Sequence, residues 1–111
     1  MDEKAMTLRE KQAQFTLMVS YLIRWAYDHE YTLTFGDAYR NPKYADQLGY
    51  YHTWSYHCKR LAVDLNLFKD EEYLTRTEDY KPLGEYWESL GGSWGGRWND
   101  GNHFSLGEGK K

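Results

Sequence analysis

The chain has 111 residues, with 14 Lys+Arg against 17 Asp+Glu and a formal net charge of −3. That length supports one core, hence a single domain over residues 1–111, and the missing basic excess argues against a nucleic-acid binder. Aromatic residues make up 18%, with 11 Tyr and 5 Trp, under a mean hydropathy of −0.91. Amphipathic rings in a polar chain describe a folded protein with an aromatic-lined surface, not a disordered one. One cysteine, Cys58, excludes an internal disulfide.

In chain order, residues 7–10 (Thr-Leu-Arg-Glu) fit a capping box that opens an N-terminal helix over about 7–29. Phe15, Met18, Leu22 and Trp25 recur at helical spacing, with Val19 and Ala26 widening the stripe, and His29 complements the helix C-terminus. The apolar run 15–26 is interrupted by Ser20 and Arg24, is too short to span a bilayer and lacks a signal-peptide cleavage site. The expectation is a product made in the cytoplasm, without stable membrane insertion.

Tyr31, Leu33 and Phe35 alternate with threonines, predicting a strand that ends at Gly36 and Asp37. Residues 40–54 have no clean period and read as a loop with a short helix over 44–49. Alternation returns over 61–68: Leu61, Val63, Leu65 and Leu67 on one face, Ala62, Asp64, Asn66 and Phe68 on the other. The acidic run 70–72 reads as a hairpin tip without the ligand spacing of a calcium loop. A second capping box at 75–78 predicts a helix over 77–90, stopped by Gly91 and Gly92, with Pro82 arguing for a later start. Gly92, Gly95 and Gly96 around Trp94 predict tight turns and close backbone approach, and residues 103–106 a last short strand. The fold class expected is α+β: a small antiparallel sheet packed against two main helices.

Two of the four histidines keep distinctive company: His57, seven residues before Asp64, and His103, three residues after Asp100. Two imidazoles and one carboxylate suit a zinc with an open fourth position. On a continuous strand His57 and Asp64 would point to opposite faces, and on a helix they would lie about 10 Å apart. They meet only if the chain turns near residues 58–60. Spacing alone also accommodates a structural His57 and an exposed His103. His52 reads as a loop residue, Cys58 as a free thiol pointing away from the site, and of Trp94 and Trp98 one belongs to the core and one to a groove wall.

The pattern Ser55-x-His57, Ala62-x-Asp64, Gly91-Gly92-x-Trp94-Gly95-Gly96 and Asp100-x-x-His103-Phe104 resembles the zinc-dependent M15 (VanY/VanX-like) peptidoglycan peptidases, over about residues 39–106. It is most similar to the phage endolysin branch that cleaves L-alanyl-D-glutamate bonds, because the carboxypeptidase and dipeptidase branches carry glutamate where this chain has Asp100. Many members have a glycine three residues after the first histidine; Arg60 stands there, so the shape of that turn is the open point. The resemblance implies His57, Asp64 and His103 as ligands of one catalytic zinc ion and Asp100 as general base. It also implies Arg40 over the scissile carbonyl and Ser55 near the substrate; Trp98 is the expected groove wall. The implied partner is the stem peptide of bacterial peptidoglycan, attacked by a monomer after release to the wall.

Overall fold

The computed structural model describes residues 6–39, 41, 43, 56, 57 and 59–106. The expected short helix over 44–49, together with Arg40, His52, Ser55 and Cys58, lies outside them. The expected α+β architecture is present: among the described residues, two helices and a five-stranded antiparallel sheet.

Helix α1 (Leu8–Asp28) starts at the expected capping box. Thr7 Oγ1 accepts the Glu10 N–H at 3.1 Å and Glu10 Oε1 accepts the Thr7 N–H at 2.9 Å, serving two donors that the helix leaves unpaired. Its buried face is Phe15, Met18, Leu22 and Ala26. Trp25 is half-buried, stacked between the rings of Tyr86 and His29, and the C-capping His29 donates from Nδ1 to Trp25 O at 2.7 Å. Among the described residues no helix is long and apolar enough to cross a membrane.

The sheet is built around β2 (Ala62–Lys69), which pairs with β1 (Thr32–Phe35) on one edge. Its other edge is shared by β3 (Glu72–Leu74) and β5 (His103–Ser105), and β5 in turn pairs with β4 (Ser93–Trp94). Where β3 leaves off and β5 begins, Tyr80 fills the gap: its hydroxyl accepts from Leu67 N–H and donates to Leu74 O, both at 3.1 Å. At the free edge of β1 the Tyr27 hydroxyl accepts from Leu33 N–H at 3.2 Å and faces Leu33 O at 3.4 Å, so that edge is partly closed to another strand.

Two expectations need correction. Residues 77–80 form a 3-10 turn, and the second helix, α2, runs only over Lys81–Ser89. Pro82 has no N–H for the Glu78 carbonyl and its ring would crowd that carbonyl, so an α-helix cannot run through from Thr77. The cap moves with it: Asp79 Oδ2 accepts the Arg76 N–H at 3.0 Å, while Thr77 Oγ1 accepts the Gly101 N–H at 3.2 Å. Gly91, at φ +100°, ends α2 as expected. The glycine-rich region, read only as turns, also contains β4 and a second 3-10 turn (Gly95–Trp98).

Leu65, Leu67, Leu83, Trp87 and Phe104 are all but inaccessible to solvent. Trp87 ties α2 to the sheet, because its Nε1 donates to Ser93 O at 3.1 Å and to Ser105 O at 2.9 Å. Its ring meets Phe15 of α1 edge-on at 5.8 Å. The core therefore backs one face of β2.

Candidate metal centre

The segment before β2 makes the turn that the spacing of His57 and Asp64 demands. Tyr56 O accepts from Lys59 N–H and Leu61 N–H, and His57 O accepts from Arg60 N–H. Arg60 has φ +60°, the left-handed conformation that glycine adopts freely and that costs a residue with a Cβ about 1–2 kcal/mol. At the position where many family members carry glycine, Arg60 thus adopts a conformation that glycine favours. Its guanidinium lies 4.0 Å over the Tyr39 ring, a cation–π contact that offsets part of the strain.

Beyond the turn, alternation does what the sequence implied. Leu61, Val63, Leu65 and Leu67 are buried, and Asp64 and Asn66 lie on the opposite, open face. Asp64 is fixed through its backbone: its carbonyl accepts from Gly36 N–H and its N–H donates to Asp37 O, each at 2.7 Å. A Cβ on Gly36 would stand 3.2 Å from the Asp64 Cβ, so glycine lets β1 come this close. His103, the first residue of β5, is directly opposite Asp64 in the sheet register.

His57, Asp64 and His103 each offer one ligand atom, and these lie within 4.8 Å of one another. Asp64 Oδ1 is 3.4 Å from His57 Nε2 and 3.3 Å from His103 Nδ1. These distances are long for a charge-assisted N–H···O bond, which settles at about 2.7–2.9 Å. They suit a tetrahedral ion instead, since ligands about 2.0–2.1 Å from zinc stand about 3.3–3.4 Å from each other. The tautomer fits as well. His57 Nδ1 donates to Ala38 O at 2.9 Å, and because a carbonyl can only accept, the neutral ring keeps its lone pair on Nε2, towards Asp64. Both imidazoles are buried, at 4% and 7% exposure.

Burial by itself would raise the Asp64 pKa, but the neighbouring His103 and His57 outweigh it and hold the carboxyl at about 2. The carboxylate is therefore ionised at neutral pH, as a metal ligand must be.

Asp100 is absent from the ligand cluster and sits in the turn leading into β5. Its N–H donates to Gly95 O at 2.9 Å and its carbonyl accepts from His103 N–H at 3.2 Å. A Cβ on Gly95 would lie 2.3 Å from Asp100 O and 2.8 Å from His103 Cβ, so Gly95 permits the packing that joins these two residues. Trp98, half-buried, has its ring 6.0 Å from that of His103, whereas Trp94 is buried with Nε1 donating to Gly101 O at 2.7 Å. Trp94 is thus the core tryptophan of the two. Ser105, two residues on and therefore on the same face of β5 as His103, is fully buried, opposite Ala62 and Ser93 in the register. The Ala38 carbonyl was not anticipated, and no side-chain pattern could have announced a backbone acceptor.

With this donor set in place, comparison with known families is decisive. Residues 49–106, a little more than half of the chain, match the M15 peptidase model described as D-alanyl-D-alanine carboxypeptidase. The chain belongs to the M15 peptidase family. No match to a curated protein was found. Membership makes this a peptidoglycan-related peptidase of a typically metal-dependent family, and the matched span carries all three residues of the buried cluster.

Proposed function

We propose that this M15 member is a zinc endopeptidase that hydrolyses the L-alanyl-D-glutamate bond of the peptidoglycan stem, as a phage endolysin in host lysis. The observation that carries the zinc reading is the His57–Asp64–His103 cluster, with its 3.3 and 3.4 Å spacings and the His57 tautomer set by Ala38. The choice of bond rests on Asp100 standing where the carboxypeptidase and dipeptidase branches carry glutamate.

His57, Asp64 and His103 would hold the ion, which supplies Lewis acidity and brings the ionisation of water towards neutral pH. Asp100 accepts the proton of the attacking water and passes it to the leaving amine. Arg40 places positive charge against the oxyanion that develops on the scissile carbonyl. Ser55 and Trp98 contact the peptide. The protein works as a monomer, is made in the host cytoplasm and reaches the wall on release.

A second reading, D-alanyl-D-alanine carboxypeptidase, is favoured by the description of the matching family model. Mass spectrometry of digested muropeptides separates the two. Stem peptides with a new N-terminal D-glutamate, left beside muramoyl-L-alanine, are expected; free D-alanine would transfer the assignment to the second reading. Chelation should abolish lysis and zinc should restore it. Lysis indifferent to both would overturn the metallopeptidase.

A further inference from the structure

The open face of the sheet continues past the metal cluster. Asp64, Asn66 and Phe68 alternate onto one side of β2, and Tyr73 of β3 is directly opposite Phe68, so its ring rises on that same side. The two rings stack at 5.1 Å, and Tyr73 stays 53% exposed. Beside them is a cavity of about 220 Å³, lined among others by Tyr73, Thr75, Thr77, Asn99, Asp100 and Asn102. It adjoins the ligands on both strands: Asn102 precedes His103, and its carbonyl accepts the N–H of Leu65, the residue after Asp64, at 2.9 Å.

The chemistry of this cavity is selective. Among the described residues its wall offers hydroxyls, amides and the rings of Tyr73 and Tyr80, with Asp100 as the charged member. Uncharged donors and acceptors beside aromatic rings suit a neutral, hydroxyl-rich ligand. The two sides of an L-alanyl-D-glutamate bond differ in this respect. The side running from D-glutamate carries free carboxylates, whereas L-alanine leads within one residue to a neutral, hydroxyl-rich N-acetylated sugar. The cavity volume is below the 300 Å³ or so at which drug-sized pockets begin, which suits one sugar ring better than a run of peptide.

We propose that this cavity is a subsite for the N-acetylated sugar on the glycan side of the scissile bond, with Tyr73 as its aromatic platform and Thr75, Asn99 and Asn102 as hydrogen-bonding partners. The proposal rests on the endopeptidase reading for the identity of the sugar. It makes the glycan junction, not the stem terminus, the part of the wall that this chain recognises.

The test uses two neutral probes, N-acetylmuramoyl-L-alanine amide and acetyl-L-alanine amide, titrated into the zinc-loaded, isotope-labelled protein and followed by NMR at the Thr75, Gly101 and Asn102 amides. The sugar-bearing probe should shift these amides and the sugar-free one should not. Tyr73→Ala and Thr75→Val should each weaken the response, Tyr73→Ala on the order of tenfold, the scale of one good contact. Both substitutions are at exposed positions, and unchanged thermal melting confirms that the fold is kept. Equal shifts from both probes, or none from either, would overturn the subsite. A parallel comparison of kcat/KM on stem peptides with and without the sugar keeps the two readings apart. Sugar-dependent shifts without hydrolysis remove the endopeptidase and keep the subsite. Equal hydrolysis without shifts removes the subsite and keeps the endopeptidase.

Discussion

Strand β2 has two faces with different duties. Leu65 and Leu67 are at most 1% exposed, packed behind the sheet with Trp87 and Phe104. Asp64, Asn66 and Phe68 occupy the other side, one with the metal cluster and one beside the cavity. Stability and chemistry are thus written in alternate letters of one eight-residue strand. Neighbouring residues should therefore fail in different assays, and substitutions can be chosen to break one property while sparing the other.

The largest effect is expected on the open side. Asp100→Ala should lower turnover by about 10²- to 10⁴-fold, the usual contribution of a general base, while the protein still binds one zinc ion. Turnover set against metal content measures this, and near-wild-type lysis would remove Asp100 from the reaction. Next comes the buried face. Leu65→Ala should cost about 2–5 kcal/mol in denaturant unfolding, through lost burial and the cavity left behind. Asn66→Ala, one residue along, should stay within about 0.5–1 kcal/mol, since it removes a single exposed hydrogen bond to Thr34 at 3.2 Å. Equal costs at the two positions would contradict the division of faces. Metal joins the two properties. Zinc at about a hundredfold excess over its Kd should add about 2.7 kcal/mol to stability, and Asp64→Asn should forfeit most of that gain, as a melting shift with and without zinc will show.

How far this arrangement is legible in the sequence differs by element. The alternation of β2 and the capping box of α1 are local signals, carried by residues within one strand or one helical turn, and both read correctly. The meeting of His57 with Asp64 required a turn that spacing could demand but not shape. Its geometry rests on Arg60 taking a left-handed conformation that arginine does not advertise. The Tyr80 hydroxyl in the gap beside β2 and the Ala38 carbonyl on His57 are contacts between distant segments, through a hydroxyl or a backbone atom that no pattern singles out. The error at 75–80 is different in kind, because Pro82 was visible there and argued against the long helix. Arg40 and Ser55 fall outside the described residues and retain only what the family resemblance implies for them.

Arg60 offers a finer cut at the same boundary, since it sits between the ligand turn and the strand. Arg60→Ala keeps the backbone strain and loses the contact with Tyr39, for a cost of about 0.5–1 kcal/mol. Arg60→Gly loses the same contact but relieves the strain, and should be the more stable of the two variants by about 1 kcal/mol. A glycine variant no more stable than the alanine variant would mean that the left-handed turn is not where the cost lies.

The smallest effect belongs to the perimeter, away from both faces. Glu88 accepts two hydrogen bonds from Arg97, at 2.6 and 2.8 Å, a forked pair joining α2 to the second 3-10 turn. Those bonds, and the guanidinium charge, hold the Glu88 carboxyl below its ordinary value of 4.5. A carboxylate with a lowered folded-state pKa stabilises the fold above the unfolded value, and that contribution disappears as pH falls through the folded one, because the unfolded chain takes up the proton first. Arg97 is exposed and Glu88 half-exposed, so solvent and salt weaken the pair. Glu88→Gln should therefore lower the melting temperature slightly at neutral pH and low salt, and not at all in molar salt or well below pH 4. A loss that persisted under those conditions would mean that Glu88 contributes by packing against α2 and not by charge.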